Sequence, residues 1–292
     1  MNELQQQKIL IVGLGLMGGS YARGLTEKGF EVGAVDTNEE SIQFALRQGW
    51  IAHGRCTADA DYIEAFDLLI FALYPHTLLD WVERYQHCIK SGAILTDVTG
   101  VKGTVVAHLQ GMLRSDLEFI GAHPMAGRET SGVKSAKKEI FYGANYIITP
   151  TERNTPQGIA LCRSIGEVLG FGKISVLSPV EHDSMIAYLS QLTHCIAVSL
   201  MTCRDTDGLE LYSGDSFRDL TRIAKINDEM WSELFSINKA ALLEQMELFS
   251  SAFDQLKSAI AQDDVDTVRR MMRLSTQRRI NFDHINKGEI QS

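Results

Sequence analysis

Apolar runs alternate with segments of helical period through residue 178. Clustered apolar and β-branched residues predict strands at 8–13, 31–36, 67–73, 93–98, 118–123, 145–149 and 173–178. Apolar positions at helical spacing predict helices at 18–29, 38–49, 75–89, 102–113 and 155–169. Strands that alternate with helices of this length indicate an α/β domain, in which a parallel sheet is flanked by helices.

The pattern changes after Pro179, where helical period continues and no strand pattern returns. The sequence therefore predicts an α/β domain over 1–178 and an all-α domain over 179–292. The first helix of the second domain, predicted over 180–203, is apolar nearly all round. Such a helix is buried on more than one side, either within its own subunit or by a second subunit.

Composition and charge narrow the class of protein. The 292 residues are 45% hydrophobic and 22% charged, which is typical of a globular chain. The formal net charge of −9 disfavours nucleic acid as a partner, because phosphate backbones repel an acidic protein.

The cysteines and the absence of targeting signals in the sequence indicate the cellular compartment. Five scattered cysteines without a C-x-x-C pair indicate free thiols in a reducing compartment, and they predict no metal site. The apolar stretches fall short of the roughly 20 residues that span a bilayer, so no membrane association is expected. Because the N-terminus also lacks the features of a signal peptide, the expected location is the cytoplasm.

A glycine motif follows the first predicted strand. Gly13, Gly15 and Gly18 form G-x-G-x-x-G between a strand and a helix, the setting in which this motif binds the pyrophosphate of a dinucleotide. Asp36 ends the second strand, where a carboxylate accepts from the ribose hydroxyls and repels a 2′-phosphate, so NAD is expected rather than NADP. The alternative is a glycine turn that binds nothing. The predicted cofactor-binding residues are Gly13, Leu14, Gly15, Leu16, Met17, Gly18, Asp36 and Tyr74.

Three further segments carry candidate catalytic or substrate-binding residues. His123 ends a predicted strand and is either an acid–base group beside the nicotinamide or a loop histidine bonded to backbone. Ser190 and His194 share one face of the long apolar helix, where they either satisfy each other in the core or face a ligand. Arg222 lies one helical turn from Asp219, which suits either a carboxylate-binding guanidinium or a solvated charged face.

Five segments, in this order, resemble the prephenate and arogenate dehydrogenase family: GLGLMGGS, DVTGVKG, GAHPMAGRE, HDSMIAYLSQLTH, and FRDLTRIAK with the MW that follows it at 230–231. The resemblance spans residues 8 to about 280. It implies a Rossmann-type doubly wound sheet followed by a helical substrate and dimerisation domain, hence a homodimer. The implied reaction is oxidative decarboxylation of prephenate to 4-hydroxyphenylpyruvate with hydride transfer to NAD, in tyrosine biosynthesis. Arogenate dehydrogenase, which forms tyrosine directly, is the alternative.

The resemblance also implies roles for particular residues. His123 would accept a hydrogen bond from the substrate's ring hydroxyl, and Arg222 would bind its carboxylate. Ser190 and His194 would contact the substrate or the nicotinamide end of the site. The expected substrate-binding residues are Arg222, Glu129, Asp219 and Thr99.

One position departs from the family pattern. Gly100 stands where relatives often carry a serine that hydrogen-bonds the catalytic histidine. Thr99 or a water molecule is the expected replacement, so the way in which His123 is held in its tautomer is left open.

Two other functions are compatible with the same architecture. One is another dehydrogenase of similar architecture, of the β-hydroxyacid or 6-phosphogluconate type. Those enzymes use a lysine on the first helix of the helical domain, and 180–203 contains none. The other is an NAD-binding redox sensor without turnover, which would leave the polar residues His123, His194 and Arg222 unexplained.

Overall fold

The computed structural model of the chain describes residues 3–127 and 130–286. Its strands are β1 Ile9–Val12, β2 Val32–Val35, β3 His53–Arg55, β4 Leu68–Phe71, β5 Ile94–Asp97, β6 Glu118–Met125, β7 Asn145–Thr149 and β8 Lys173–Val176. Its helices are α1 Leu16–Thr26, α2 Glu39–Arg47, α3 Ala60–Ile63, α4 Pro75–Tyr85, α5 Gly103–Met112, α6 Pro156–Leu169, α7 Pro179–Ile186, α8 Leu192–Thr202, α9 Asp215–Thr221, α10 Asp228–Ile237, α11 Lys239–Ala261 and α12 Val265–Asn286.

The strands form one eight-stranded sheet in the order β3-β2-β1-β4-β5-β6-β7-β8. Neighbouring residues of β1 point into different hydrophobic clusters, Ile9 and Ile11 into one and Leu10 and Val12 into the other. Helices α1 and α6 cover the first cluster and α4 and α5 the second. Since both faces are covered, the central strands β1, β2 and β4 are buried apolar runs, and the predicted doubly wound fold is confirmed.

The sheet differs from the prediction at one pairing, because β7 runs antiparallel to β6. A parallel pairing requires a crossover, which is usually a helix. The described part of the β6–β7 connection holds only two short 3-10 turns, Val133–Ser135 and Lys138–Phe141, so the chain turns back beside β6. The prediction of an all-parallel sheet was therefore wrong in this respect.

Two small elements between β2 and β4 were not predicted. Strand β3 has the sequence His-Gly-Arg and pairs with β2 at the sheet edge, and α3 is one turn long. Neither segment carries an apolar run, so the hydrophobic pattern gives no signal for them. Gly54 lies so close to Ile42 that an added Cβ would stand 2.8 Å from that side chain.

The predicted helix at 180–203 is continuous but not regular. It consists of α7, a π-helical segment at Ala187–Gln191, and α8. A π-helical turn shifts the helix face that follows it, and such turns are frequent at functional sites. The whole segment Pro179–Thr202 is long and apolar enough, by length and composition only, to cross a membrane, contrary to the expectation from the sequence. It also carries His182, Asp183 and Gln191, each hydrogen-bonded to other protein groups.

The helices α7–α10 pack with the sheet domain. Asp183 of α7 accepts from the first backbone N–H groups of α5, and Leu234 of α10 belongs to the second hydrophobic cluster. The chain divides into two compact units between Ala241 and Leu242, inside α11. By packing, helices α7–α10 therefore belong to the same compact unit as the sheet. The change from an α/β to an all-helical sequence pattern comes earlier, at residue 178.

Candidate active site

The loop after β1 has the geometry that a pyrophosphate requires. Gly13 has a φ of +94°, and an added Cβ would lie 2.6 Å from the carbonyl oxygen of Ala72. A Cβ at Gly18 would overlap the carbonyl oxygen of Gly13, whereas nothing lies within 4 Å of one at Gly15. Gly15 is the N-cap of α1 without a side-chain cap, so the N-terminus at Leu16 and Met17 suits an anionic group.

Asp36 and Tyr74 lie at the ends of β2 and β4. The Asp36 carboxylate accepts from the backbone N–H of Leu14 at 2.5 Å and of Asn38 at 2.7 Å. These bonds hold it beside the glycine loop, where a ribose is bound in such folds. Tyr74 is the N-cap of α4, and its hydroxyl accepts from Asn227 Nδ2 at 3.1 Å. The loop and Asp36 thus fit a dinucleotide that lacks a 2′-phosphate.

His123 lies within β6, which continues beyond the predicted end to Met125. Its Nδ1 is 2.8 Å from Nε2 of His182, and Nδ1 of His182 is 2.8 Å from Oδ1 of Asp183. His182 is fully buried and His123 is partly buried. The backbone N–H groups of Lys102 and Gly103 donate to the Asp183 carboxylate at 2.8 and 2.7 Å. The result is a chain of two imidazoles that ends on a carboxylate.

Both imidazoles are kept neutral by their surroundings. Burial lowers the pKa of His123 well below its ordinary value, and the neighbouring His182 and Lys102 add to the effect. Burial also lowers the pKa of His182, and the hydrogen bond that His182 donates to Asp183 opposes this only in part. The 2.8 Å between the two imidazole nitrogens requires one donor and one acceptor, so at least one of the two rings is neutral.

A buried ion pair lies beneath this chain. Lys102 Nζ donates to Asp97 Oδ2 at 2.6 Å, and neither side chain is exposed. Asp97 Oδ1 accepts from the backbone N–H of Ala122, which fixes the strand directly before His123. The Thr99 hydroxyl donates to Asp97 and lies 3.0 Å from Lys102 Nζ. Thr99 therefore belongs to this network, and the observed partner of His123 is His182.

His194 lies on α8, in the helical segment that follows His182. Its Nδ1 is 2.9 Å from the carbonyl oxygen of Ser190, an acceptor, so that nitrogen carries a proton. Its ring stacks on Trp231 of α10, with centroids 3.7 Å apart. Leu234, also on α10, would lie 3.6 Å from a Cβ at Gly100, which in turn would be 3.9 Å from His123 Cε1. Helix α10 thus contacts the surroundings of both histidines.

The remaining predicted substrate residues lie at the surface or outside the described residues. Arg222 begins a 3-10 turn, Arg222–Ala224, that packs against α8, and it is exposed in the single chain. Asp219 is exposed on α9, where Arg218 pairs with Asp215 at 2.6 Å. Glu129 lies outside the described residues. The polar face predicted for Ser190 and His194 is partly buried.

Two family models match the chain in succession. The nucleotide-binding domain of prephenate dehydrogenase matches residues 21–174, and its dimerization domain matches residues 178–274. The chain belongs to the prephenate dehydrogenase family. This assignment confirms the resemblance expected from the sequence, and it removes the β-hydroxyacid and 6-phosphogluconate types as alternatives.

Individual members of the prephenate dehydrogenase family are similar over nearly the whole chain. Prephenate dehydrogenase of Bacillus subtilis is 28% identical over 99% of this chain and 80% of its own length. The Aquifex aeolicus enzyme in complex with hydroxyphenyl propionate and NAD⁺ has a TM-score of 0.85 and 30% identity, covering 94% of this chain and 98% of that one. Arogenate dehydrogenase of Synechocystis has a TM-score of 0.81 and 26% identity, covering 94% and 99%. The cofactor of this prephenate dehydrogenase family member is NAD, as the sequence predicted.

Four residues of the site were not singled out from the sequence. His182 and Asp183 stand side by side at the start of the long helix, and Lys102 and Trp231 lie in segments that carry the resemblance. An adjacent His-Asp pair in a first helical turn is a weak signal, because most such pairs are solvated. Their importance becomes visible only through burial and contacts between distant elements.

Proposed function

We propose that the protein catalyses the oxidative decarboxylation of prephenate to 4-hydroxyphenylpyruvate, with NAD⁺ as the oxidant, in tyrosine biosynthesis. The observation that carries this proposal is His123, a neutral imidazole in β6 of a dinucleotide-binding fold. A neutral imidazole accepts the proton of a carbinol hydroxyl at neutral pH, whereas an imidazolium does not. The family assignment supplies the substrate to which this chemistry applies.

The substrate is a cyclohexadiene that carries a hydroxyl and a hydrogen on one ring carbon and a carboxylate on the opposite one. His123 accepts the hydroxyl proton at Nε2, which increases electron density on the carbinol carbon. Bound NAD⁺ supplies the acceptor for the hydride. The opposite carboxylate leaves as carbon dioxide, the ring becomes aromatic, and the phenolic oxygen takes its proton back from His123, which restores the neutral imidazole. The protein therefore has chiefly to orient the substrate and exclude water.

Arg222 is proposed to bind a carboxylate of the substrate through its guanidinium group. Its packing against α8 supports this role, because α8 also carries His194. Ser190 and His194 are proposed to contact the substrate or the nicotinamide end of the site. The stacking of Trp231 on His194 supports an ordered imidazole in that position. Thr99, Asp219 and Glu129 remain proposed substrate-binding residues.

We also propose a homodimer formed through the helical domain. The match to a dimerization domain supports it. So do the exposed apolar side chains on the helices, such as Val180, Tyr188 and Phe253, which are 76%, 56% and 58% exposed in the single chain. The cytoplasm is the proposed location, since all five cysteines are free thiols.

A two-by-two assay tests the function. Prephenate or arogenate is offered with NAD⁺ or NADP⁺, while reduced cofactor and the aromatic product are measured. We expect reduced cofactor and 4-hydroxyphenylpyruvate in equal amounts from prephenate with NAD⁺. Faster turnover of arogenate, with tyrosine as product, would show that the substrate is arogenate rather than prephenate, while the proposed mechanism would stand.

The H123N variant is the matched control for this assay. An asparagine keeps a polar side chain but lacks a nitrogen that takes up the hydroxyl proton, so turnover should be lost while NAD⁺ binding persists. A wild-type protein that binds NAD⁺ but reduces it with neither substrate would favour the redox-sensor alternative. Turnover that survives in H123N would remove His123 from the chemistry.

A further inference from the structure

The pair His182–Asp183 has no part in the proposed reaction as described so far. His182 is fully buried, yet both of its ring nitrogens have polar partners, His123 at 2.8 Å and Asp183 at 2.8 Å. A buried polar side chain in a mostly apolar helix costs stability unless it is satisfied, and an aliphatic residue there would avoid the cost. The arrangement calls for a reason beyond packing.

The direction of the hydrogen bonds is fixed by the carboxylate end of the chain. The two Asp183 oxygens accept from the backbone N–H groups of Lys102 and Gly103, which orients the carboxylate as an acceptor. Nδ1 of His182 must therefore carry its proton and donate to Asp183. In the neutral ring, Nε2 of His182 is then an acceptor, so Nδ1 of His123 must be the donor.

We propose that His182, oriented by Asp183, is a positioning residue that holds His123 in the tautomer with Nε2 unprotonated. This inference rests on the proposed function, in which Nε2 of His123 accepts the substrate's hydroxyl proton. It also answers the question raised by Gly100, since the buried helix supplies the partner that a serine provides in relatives. A single fixed tautomer matters, because the other one presents an N–H to the hydroxyl and accepts nothing.

The same chain stabilises His123 after the proton arrives. The substrate O–H bond breaks, an N–H bond forms at Nε2, and the ring becomes an imidazolium. Its Nδ1–H still points at the Nε2 lone pair of His182, whose Nδ1–H points at the Asp183 carboxylate. The new positive charge thus meets two aligned acceptors in succession, and no group has to reorient.

Two substitutions of His182 separate its two contacts. In H182Q the amide oxygen reaches the position of Nε2 and still accepts from His123. In H182N the shorter side chain reaches only the position of Nδ1, next to Asp183. We expect kcat of H182N to fall about 10- to 100-fold, by analogy with the loss when the hydrogen-bond partner of a metal-ligating histidine is removed. The KM for prephenate should change little, and H182Q should recover much of the loss.

Control variants distinguish the loss of a positioning contact from a general loss of folding. H108N and H108Q make the same changes at an exposed histidine on α5 and should leave kcat unchanged. Cooperative thermal unfolding and NAD⁺ affinity establish that each variant is folded. A folded H182N with the kcat and pH profile of the wild type would overturn the proposal, and so would H182Q and H182N that lose activity equally.

The tautomer itself is measurable without any reaction. Long-range ¹H–¹⁵N correlation of ¹⁵N-histidine-labelled protein distinguishes protonated from unprotonated ring nitrogens, and H123N assigns the signals of His123. We expect a protonated Nδ1 and an unprotonated Nε2 at neutral pH. A proton on Nε2 would overturn the proposal even if the variants fail to fold. The expected tautomer without prephenate turnover would instead show that the proposed function is wrong.

A pH profile completes the test, because charged groups face His123 from several elements. His182 and Asp183 lie on α7, Lys102 precedes α5, and Asp97 ends β5. In H182Q the contacts of Lys102 with Asp183 and with Asp97 are retained. In H182N, either tautomer of His123 becomes accessible, so the plateau of kcat should be lower throughout the neutral range rather than only at acid pH. A plateau equal to that of the wild type would contradict the proposal.

Discussion

His123 is the residue whose protonation governs the proposed reaction. Since only the neutral ring accepts a proton, activity falls when pH drops through the pKa of His123. Burial and the neighbouring His182 and Lys102 lower that pKa well below the ordinary 6.5, so the neutral form persists to lower pH. The sequence alone suggests a fall near pH 6–7, the range of an unperturbed imidazole.

We therefore expect the acid limb of kcat/KM for prephenate to have its midpoint below pH 6.5. A profile measured across acid and neutral pH in a buffer of constant ionic strength gives that midpoint. Thermal unfolding at each pH excludes loss of fold as the cause. A midpoint at or above the ordinary value would show that the surroundings of His123 differ from those described.

Arg222 tests the carboxylate end of the substrate. Replacing it by alanine removes a charge-assisted hydrogen bond, which contributes roughly 1.5–3 kcal/mol and corresponds to an increase in KM of about 10- to 100-fold. Arg218, paired with Asp215 at the surface, is the matched control, and R218A should leave KM unchanged. Steady-state kinetics with prephenate measures both. An unchanged KM in R222A would remove Arg222 from the site.

Asp36 tests the choice between the two dinucleotides. D36N removes the negative charge that repels a 2′-phosphate, while one acceptor for the N–H of Leu14 or Asn38 is kept. We expect the preference for NAD⁺ over NADP⁺, as the ratio of kcat/KM values, to fall at least about tenfold, which corresponds to roughly 1.4 kcal/mol. An unaltered ratio would mean that another group selects the cofactor.

At the scale of elements, the buried pair Lys102–Asp97 joins the end of β5 to the start of α5. In K102M the Asp97 carboxylate is left buried without its cation, and this should lower the free energy of unfolding by about 3–5 kcal/mol. Lys90 is the matched control, since it pairs with the partly exposed Asp67 at 2.5 Å. K90M should cost at most about 1 kcal/mol. Urea unfolding of both variants checks the difference, and equal losses would contradict it.

The long helix illustrates what an apolar period predicts about an element and what it does not. Its apolar period predicts a helix, and α7, the π-helical segment and α8 together form one. The π-helical turn has no sequence signature in a single chain, although it sets which face His194 occupies relative to His182. Likewise, apolar runs predict β6 and β7, but the direction of β7 depends on the path of the connection between them.

At the scale of the whole molecule, the second compact unit presents apolar residues that its own helices do not cover. Phe249 and Phe253 of α11 stack at 6.2 Å between centroids and are 40% and 58% exposed. If a second copy covers them, F253E should weaken the dimer, since a charge would be buried in the interface. Light scattering after size exclusion measures the mass.

Gln255, on the same helix, supplies the control for this prediction. Q255E adds the same charge at an exposed polar position and should leave the mass unchanged. A dimer that withstands F253E would place the interface elsewhere on the helical domain. A wild-type monomer would contradict the proposed homodimer altogether.

The sequence by itself determined the α/β architecture, the glycine loop with Asp36, and the identity of His123 as a candidate base. These features depend on local spacing, since the hydrophobic period and the position of a residue at a strand end are properties of contiguous segments. Tertiary structure alone decided what holds His123, because His182 lies 59 positions away along the chain and meets it only when α7 packs beside β6. Burial, which fixes protonation and tautomer, arises from contacts between such distant segments, and no local pattern records it.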